Sequence, residues 1–474
     1  MKILWPYILP LPVKREELNR VFQTVFGTRA ALEILKRTSP NQKMYQKELI
    51  SELGFSNKTI IEALKRLVSA GVLEQGMEKR EVKQHTLWVK WYMPTVQGKW
   101  LALLLQSPAS LTPEEARKII VELFMLYLEN ILKLGANYNI ELDFFESKMH
   151  EAALKMVQEA TFKKDSSSRV IVFGSAAMDT TIVDELTPGT DEIRYISDVQ
   201  EYPGGSAANT SIALRRLGIA VSFVGKLGGD AGGVQLMKEF QAEKVDISGI
   251  IIERGKKTIK TFITIDNCGN KRIYVLGGEN SALSISSPNE VDWKKIEDSE
   301  IVYIGEVFVE IAELIASCAK SWHKKVIYRP GLPILKVNAE RVRGILRNVD
   351  MLILNTQGLE TINKNLDPTN IDLLKTGVQT IIVTNGVNGC SVFTQNETFT
   401  MPAVKSKVVD TTGAGDAFTA GLIYAILDSK SLKDCLRYAL IVSAIKISKK
   451  GARTALPSRS EVEEYLTHHR NEAG

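Results

Sequence analysis

Between residues 169 and 460, short continuous apolar runs alternate with longer stretches of helical spacing. The runs are Val170–Phe173, Val221–Val224, Ile301–Ile304, Val326–Tyr328, Met351–Leu354 and Thr380–Val383. A continuous apolar run suits a strand buried on both faces. Strand–helix alternation therefore predicts an α/β domain with a parallel sheet covered by helices, whose ligands sit beyond the carboxyl ends of the strands. Thr261–Leu276 breaks this rhythm by alternating apolar and polar residues around Asn267-Cys268-Gly269-Asn270. That pattern predicts a β-hairpin projecting from the main sheet as a lid.

The first hundred residues follow the helical period in short segments. Residues 28–37 and Gln46–Leu53 predict two helices. Gly54-Phe55 makes a turn, and Ser56 caps a third helix, Asn57–Ala70, which Gly71 ends. Ile60, Leu64 and Leu67 share one face of that helix and are expected to pack on the other two. Val72-Leu73-Glu74 through His85–Val89 predicts a two-stranded hairpin. Residues 110–160 predict longer helices, with Thr112-Pro113-Glu114-Glu115 as a helix start. The very apolar stretch Ile119–Leu134 serves either packing between domains or dimerisation, and the sequence does not separate these uses. Phe162–Arg169 is short, polar and Ser-rich, and reads as a linker.

Composition narrows the classes of function. A length of 474 residues favours two or three domains. No apolar run approaches the roughly 18–20 residues of a membrane helix. The start, Met1-Lys2-Ile3-Leu4-Trp5-Pro6, is too short and Pro-broken for a secretory signal. Cys268, Cys318, Cys390 and Cys435 are scattered, which argues against a disulfide scaffold or a structural zinc site and for a reducing cytoplasm. Five histidines make His-based chemistry a poor expectation. The net charge of +5 is uneven: residues 1–100 carry 17 Lys+Arg against 9 Asp+Glu, while the remainder is slightly acidic. A basic front end on an acidic body suggests different partners for the two parts.

The richest chemistry lies in Val409-Asp410-Thr411-Thr412-Gly413-Ala414-Gly415-Asp416-Ala417-Phe418. Polar residues and two glycines run into a helical pattern, so Gly413–Asp416 sit at a helix N-terminus. Free N–H groups and the helix dipole bind anions there. Asp416 in the same turn could take a proton from an attacking hydroxyl. The same residues also suit an ordinary Gly-containing helix start capped by Asp.

Asp410–Gly421, Asp-Thr-Thr-Gly-Ala-Gly-Asp-Ala-Phe-Thr-Ala-Gly, resembles the C-terminal signature of the ribokinase/PfkB family of carbohydrate and nucleoside kinases. Pro203-Gly-Gly-Ser-Ala-Ala-Asn-Thr210, running into Leu214-Arg-Arg-Leu-Gly218, resembles its N-terminal signature, about 200 residues upstream in the expected order. The resemblance covers about 169–460. It implies a ribokinase-like, Rossmann-type three-layer α/β sandwich with a small β lid. It further implies phosphoryl transfer from ATP with Mg2+ to a hydroxyl of a sugar or nucleoside.

Residue by residue, the resemblance makes Asp416 the catalytic base and Gly413, Ala414 and Gly415 the N–H donors to the transferring phosphate. Asp179, Gly205, Ser206, Asn209 and Glu306 would hold the acceptor. Asn355, Thr384, Gly386, Gly389 and Gly451 would lie by the nucleotide. Asp410 and Thr412 match a loop that holds a monovalent cation such as K+ in some members. No Walker A sequence is present, which excludes the P-loop route. Two departures stand out. Gly358 stands where the family's Asn-x-x-Glu has its Glu, with Glu360 the candidate substitute. Tyr328-Arg329-Pro330-Gly331 replaces the Asp-x-Asn-x-Arg run of many fructokinase-like members.

Residues 28–105 resemble a winged helix-turn-helix, an α+β fold common in transcription regulators. The resemblance puts Ser56, Asn57, Lys58 and Thr59 at the helix end that enters a major groove, with Lys65, Arg66, Lys79, Arg80 and Lys83 toward phosphates. Glu62 would repel phosphate, and a winged helix used for protein contacts is the alternative. We therefore expect a winged helix-turn-helix domain at 1–105, a helical connector at 106–161, a linker at 162–169 and a kinase domain at 170–474. The expected partners are a small sugar or nucleoside, duplex DNA and a second copy in a homodimer, with no membrane. The rival expectation is a ligand-sensing regulator built on a weakly active kinase fold.

Overall fold

The computed structural model describes residues 14–38, 42–82, 85–105, 113–161, 168–183, 193, 195, 199–265, 271–277, 281–337, 339–366 and 371–468. The chain forms two compact units, residues 1–145 and 146–474.

In the first unit, helices run over Arg15–Phe26, Arg29–Lys36, Gln46–Glu52 and Asn57–Ser69. Ser56 accepts from the Thr59 N–H at 3.2 Å and so caps the last of these. Ile60, Leu64 and Leu67 are wholly buried in a core shared with Val25, Ile34 and Leu35. Strands β1 (Met44–Tyr45), β2 (Leu73–Val82) and β3 (His85–Pro94) form an antiparallel sheet in the order β1-β3-β2. The hairpin is longer than its sequence suggested, because Met77, Trp88 and neighbouring residues stay exposed and leave no clean alternation to read. The helix Arg15–Phe26 was not foreseen. Beyond the sheet come the helices Val96–Leu105 and Pro113–Asn137; a further helix is Leu142–Thr161. On Pro113–Asn137 the side chains of Ile120, Val121 and Phe124 are exposed.

The second unit is built on a nine-stranded sheet. Its strands are β4 (Val170–Phe173), β7 (Val221–Gly228), β8 (Asp246–Glu253), β13 (Ile301–Ile304), β14 (Lys325–Tyr328), β15 (Met351–Asn355), β16 (Thr380–Thr384), β17 (Cys390–Thr394) and β18 (Thr398–Met401). Their order is β18-β17-β16-β15-β14-β13-β4-β7-β8. Seven strands are parallel, but β16–β17 and β17–β18 pair antiparallel, so one edge departs from the expected all-parallel sheet.

Side chains of successive residues enter opposite cores. Val170 and Val172 of β4 face one cluster, with Ile212, Phe240, Phe418 and Leu436 from helices. Ile171 and Phe173 face the other, with Ile315, Ile345 and Ile362. All four residues of β4 are wholly buried, each burial stabilising by about 1.5–3 kcal/mol. The result is three layers, helices on both faces of one sheet.

The four remaining longer strands make a second, smaller sheet. β10 (Lys260–Ile265) and β11 (Lys271–Leu276) pair antiparallel, as the hairpin pattern predicted; the turn at Asn267–Asn270 lies outside the described residues. Two strands the sequence did not reveal complete this sheet, β5 (Ala177–Val183) and β6 (Val199–Gly204), in the order β11-β10-β5-β6. A two-residue pair, β9 (Lys257–Thr258) with β12 (Ser281–Ala282), lies apart from it.

Candidate active site

The order of the large sheet reverses at β4, which has β7 on one side and β13 on the other. A crevice at such a switch point, beyond the carboxyl ends of the strands, is where α/β sheets take ligands. Two helix N-termini meet there. Gly205 caps the helix Ser206–Arg216 at φ 97°, where a Cβ would meet the Ala176 Cα and the Ser175 carbonyl at 2.7 Å. Gly413 caps the helix Ala414–Leu427 at φ 80°. Both positions favour glycine on conformation and on space, since a Cβ on Gly413 would lie 2.9 Å from the Ala452 carbonyl oxygen.

Asp416, only 6% exposed, lies in the first turn of its helix. Its Oδ1 accepts from Ser206 Oγ at 2.7 Å and from Arg329 Nη1 at 2.6 Å; its Oδ2 accepts from Asn209 Nδ2 at 2.8 Å. Among the described residues the Gly413 and Gly415 N–H groups have no hydrogen-bond partner, whereas the Ala414 N–H donates to the Thr411 carbonyl at 3.2 Å. Of the three N–H groups expected to face an anion, that of Ala414 is thus spent within the tight turn.

Arg329 follows β14 and was noticed in the sequence only as a departure from a family pattern. It also donates to Ser206 Oγ at 2.8 Å, and its guanidinium packs against Gly415. Burial opposes its charge, but Asp416, Tyr303 and Glu306 outweigh this and hold Arg329 protonated.

Asp179 on β5 of the smaller sheet accepts from Thr261 Oγ1 at 2.5 Å, and Glu306 after β13 accepts from Ser175 Oγ at 3.3 Å. Burial, reinforced by the charge of Asp416, raises both carboxyls above their ordinary range, against the pull of Arg453 on Asp179 and of Arg329 on Glu306. Arg453 is a second residue that no motif disclosed. It is buried, donates from Nε to Asn209 Oδ1 at 2.7 Å, and bonds Glu239 and the Gly204 carbonyl. By occupying Oδ1 it fixes which way the Asn209 amide points, so that Nδ2 faces Asp416.

Asn355, Thr384, Gly386 and Gly389 gather at the ends of the paired strands β15 and β16, and no hydrogen bond joins them to Asp416. Asn355 Oδ1 accepts from the Gly358 N–H at 2.7 Å, capping the helix Thr356–Leu366, and Glu360 is exposed.

Asp410 ties the loop to the closing segment. Its carboxylate accepts from the Thr412 N–H and the Gly451 N–H, each at 2.9 Å, and Lys446 Nζ donates to its carbonyl at 2.7 Å. Burial would raise the Asp410 carboxyl, but these hydrogen bonds and the Lys446 charge hold it below the ordinary range.

In the first unit, Ser56, Asn57, Lys58, Thr59, Lys65 and Arg66 are all exposed along the helix Asn57–Ser69. Arg66 pairs with Glu62 at 3.1 Å. Arg80 stacks on Tyr45, and Lys79 lies over Trp88, which is 62% exposed. Lys83 lies outside the described residues.

A profile described as pfkB family carbohydrate kinase matches residues 167–459. Ribokinase from Lactococcus lactis subsp. lactis is 31% identical over 63% of this chain and 97% of that protein. Probable fructokinase-7 of Arabidopsis thaliana is 27% identical over 64% of this chain and 94% of its own length. The structure of Arabidopsis thaliana ribokinase complexed with ribose and ATP superposes with a TM-score of 0.55 at 26% identity, covering 64% of this chain and 99% of that one. The second unit therefore has the ribokinase-like fold.

Proposed function

The chain belongs to the pfkB family of carbohydrate kinases, and from that premise we propose that it transfers the γ-phosphoryl group of magnesium-bound ATP to a hydroxyl of a sugar or nucleoside. The observation that carries this reading is the convergence of Ser206, Asn209 and Arg329 on the buried Asp416 carboxylate beside the Gly413 and Gly415 N–H groups. A carboxylate offers about four acceptor sites. Three are taken, which leaves one on Oδ2 for the acceptor hydroxyl. Asp416 takes that proton as the oxygen attacks phosphorus, while the Gly413 and Gly415 N–H groups and the Arg329 charge meet the negative charge that develops. Magnesium neutralises phosphate charge when the nucleotide brings it. Asp179 and Glu306 orient the other hydroxyls of the acceptor, which would fix which one is presented to Asp416.

Acceptor-dependent ADP release across pentoses, hexoses, polyols and nucleosides tests the reading. Turnover on one acceptor class is expected; no turnover on any would sink it. Because Asp179 and Glu306 are raised and accept hydrogen bonds best when ionised, lowering the pH should weaken acceptor binding earlier than ordinary carboxyls would. The acid limb of kcat/KM is expected above the usual carboxylate range of about 4. Asp179→Asn should remove its part of that limb, and an unchanged limb counts against the assignment.

Arg329 and Gly358 favour a second reading. An ion-paired Asp416 and a missing carboxylate at position 358 suit a protein that binds its ligand but turns over slowly, with occupancy biasing the first unit. In either reading we assign duplex DNA to that unit as a winged helix-turn-helix, through the exposed Asn57, Lys58, Lys65 and Arg66 and the basic, aromatic hairpin. Affinity for duplex DNA should fall steeply between about 50 and 200 mM salt, as counterion release requires. Salt-insensitive or undetectable binding would leave the unit to protein contacts.

A further inference from the structure

Lys446 lies in the apolar run Leu440-Ile-Val-Ser-Ala-Ile-Lys-Ile447 and is wholly buried. Burying an ammonium is unfavourable unless it is paired and hydrogen-bonded. Its partner at 2.7 Å is the Asp410 main-chain carbonyl, in the loop the family resemblance associates with a monovalent cation. The fixed ammonium at this carbonyl disfavours an added ion. Both Asp410 carboxylate oxygens receive backbone N–H groups, from Thr412 and from Gly451. The carbonyl that would ligate a cation already accepts from one, and two positive charges a few ångströms apart in a buried site repel strongly.

We propose that the Lys446 ammonium is a built-in replacement for the monovalent cation, so that the phosphate-binding turn is held in shape without potassium. The charge draws in the Asp410 carbonyl, the Asp410 carboxylate orders the Thr412 and Gly451 N–H groups, and Gly413 follows directly. The proposal uses the kinase reading only for its readout.

The test is calorimetric binding of MgADP to the full chain in potassium chloride and in choline chloride of equal ionic strength, with melting temperature measured in parallel. Wild-type affinity should agree within about twofold between the salts, and Lys446→Ala should bind about tenfold more weakly in choline chloride and recover in potassium chloride. A wild-type affinity or melting temperature clearly raised by potassium overturns the proposal, as does a folded Lys446→Ala that binds like wild type in both salts. If the variant does not fold, the wild-type comparison decides. Absence of MgADP binding in either salt counts against the kinase reading instead, and the wild-type melting temperatures then decide the role of Lys446.

Discussion

Asp416→Asn is expected to lower kcat by about 10²–10⁴-fold, the range that general-base catalysis contributes. The amide keeps the size of the side chain and can still accept from Ser206, but it cannot take up a proton. Its NH2 group would also face either Asn209 Nδ2 or Arg329, both donors in the native site. MgADP affinity should stay within a few-fold, since the turn at Thr384–Gly389, which the family resemblance puts by the nucleotide, shares no hydrogen bond with Asp416. Steady-state kinetics beside calorimetry separates the two effects. A variant that keeps more than about a tenth of wild-type kcat would remove Asp416 from the role of base.

Arg453→Met should have the largest effect on stability. It removes the partner of Glu239, a donor to the Gly204 carbonyl and the group that orients Asn209. Breaking a buried ion pair by deleting one partner costs about 3–5 kcal/mol. Glu239 keeps some contact with water, so we expect about 3 kcal/mol, the low end of that range. The midpoint of urea unfolding reads this, and Glu239→Gln in the same chain should return part of the loss. At a temperature where the variant is folded, kcat should also fall, because the Asn209 amide is free to turn its oxygen toward Asp416. A variant with wild-type midpoint and kcat would show that the network does not position the base.

Six strands of the large sheet were legible because burial on both faces leaves mainly apolar residues, as in Val170–Phe173 and Ile301–Ile304; β8 was missed, its start being broken by Asp246, Ser248 and Gly249. The smaller sheet was half legible. β10 and β11 showed their alternation, whereas β5 carries Asp179, Thr180 and Thr181, and β6 is largely exposed and contains Pro203. The antiparallel edge strands β17 and β18 are too short and mixed to stand out. Ser206, Asn209 and Asp416 were readable from their motifs, and the structure joins them directly. Arg329, Arg453 and Lys446 were not, because their partners are fixed only by the tertiary fold: Arg329 lies 87 residues from Asp416 and Arg453 lies 244 residues from Asn209. A signal was present for two of them. Arg329 directly follows an apolar strand at its carboxyl end, and Lys446 interrupts an apolar helix.

The central strand β4 is made early and completed late. Its Val170 pairs on one side with Val221 and on the other with Ile301. During synthesis at about 5–20 residues per second, the second edge of β4 stays open for on the order of ten seconds after the strand itself is made. An apolar strand with an unpaired edge is a template for association with other chains. The nascent protein therefore passes through a window in which its most buried strand is its most exposed liability, and expression at lower temperature or with chaperones that hold that edge should raise the soluble yield.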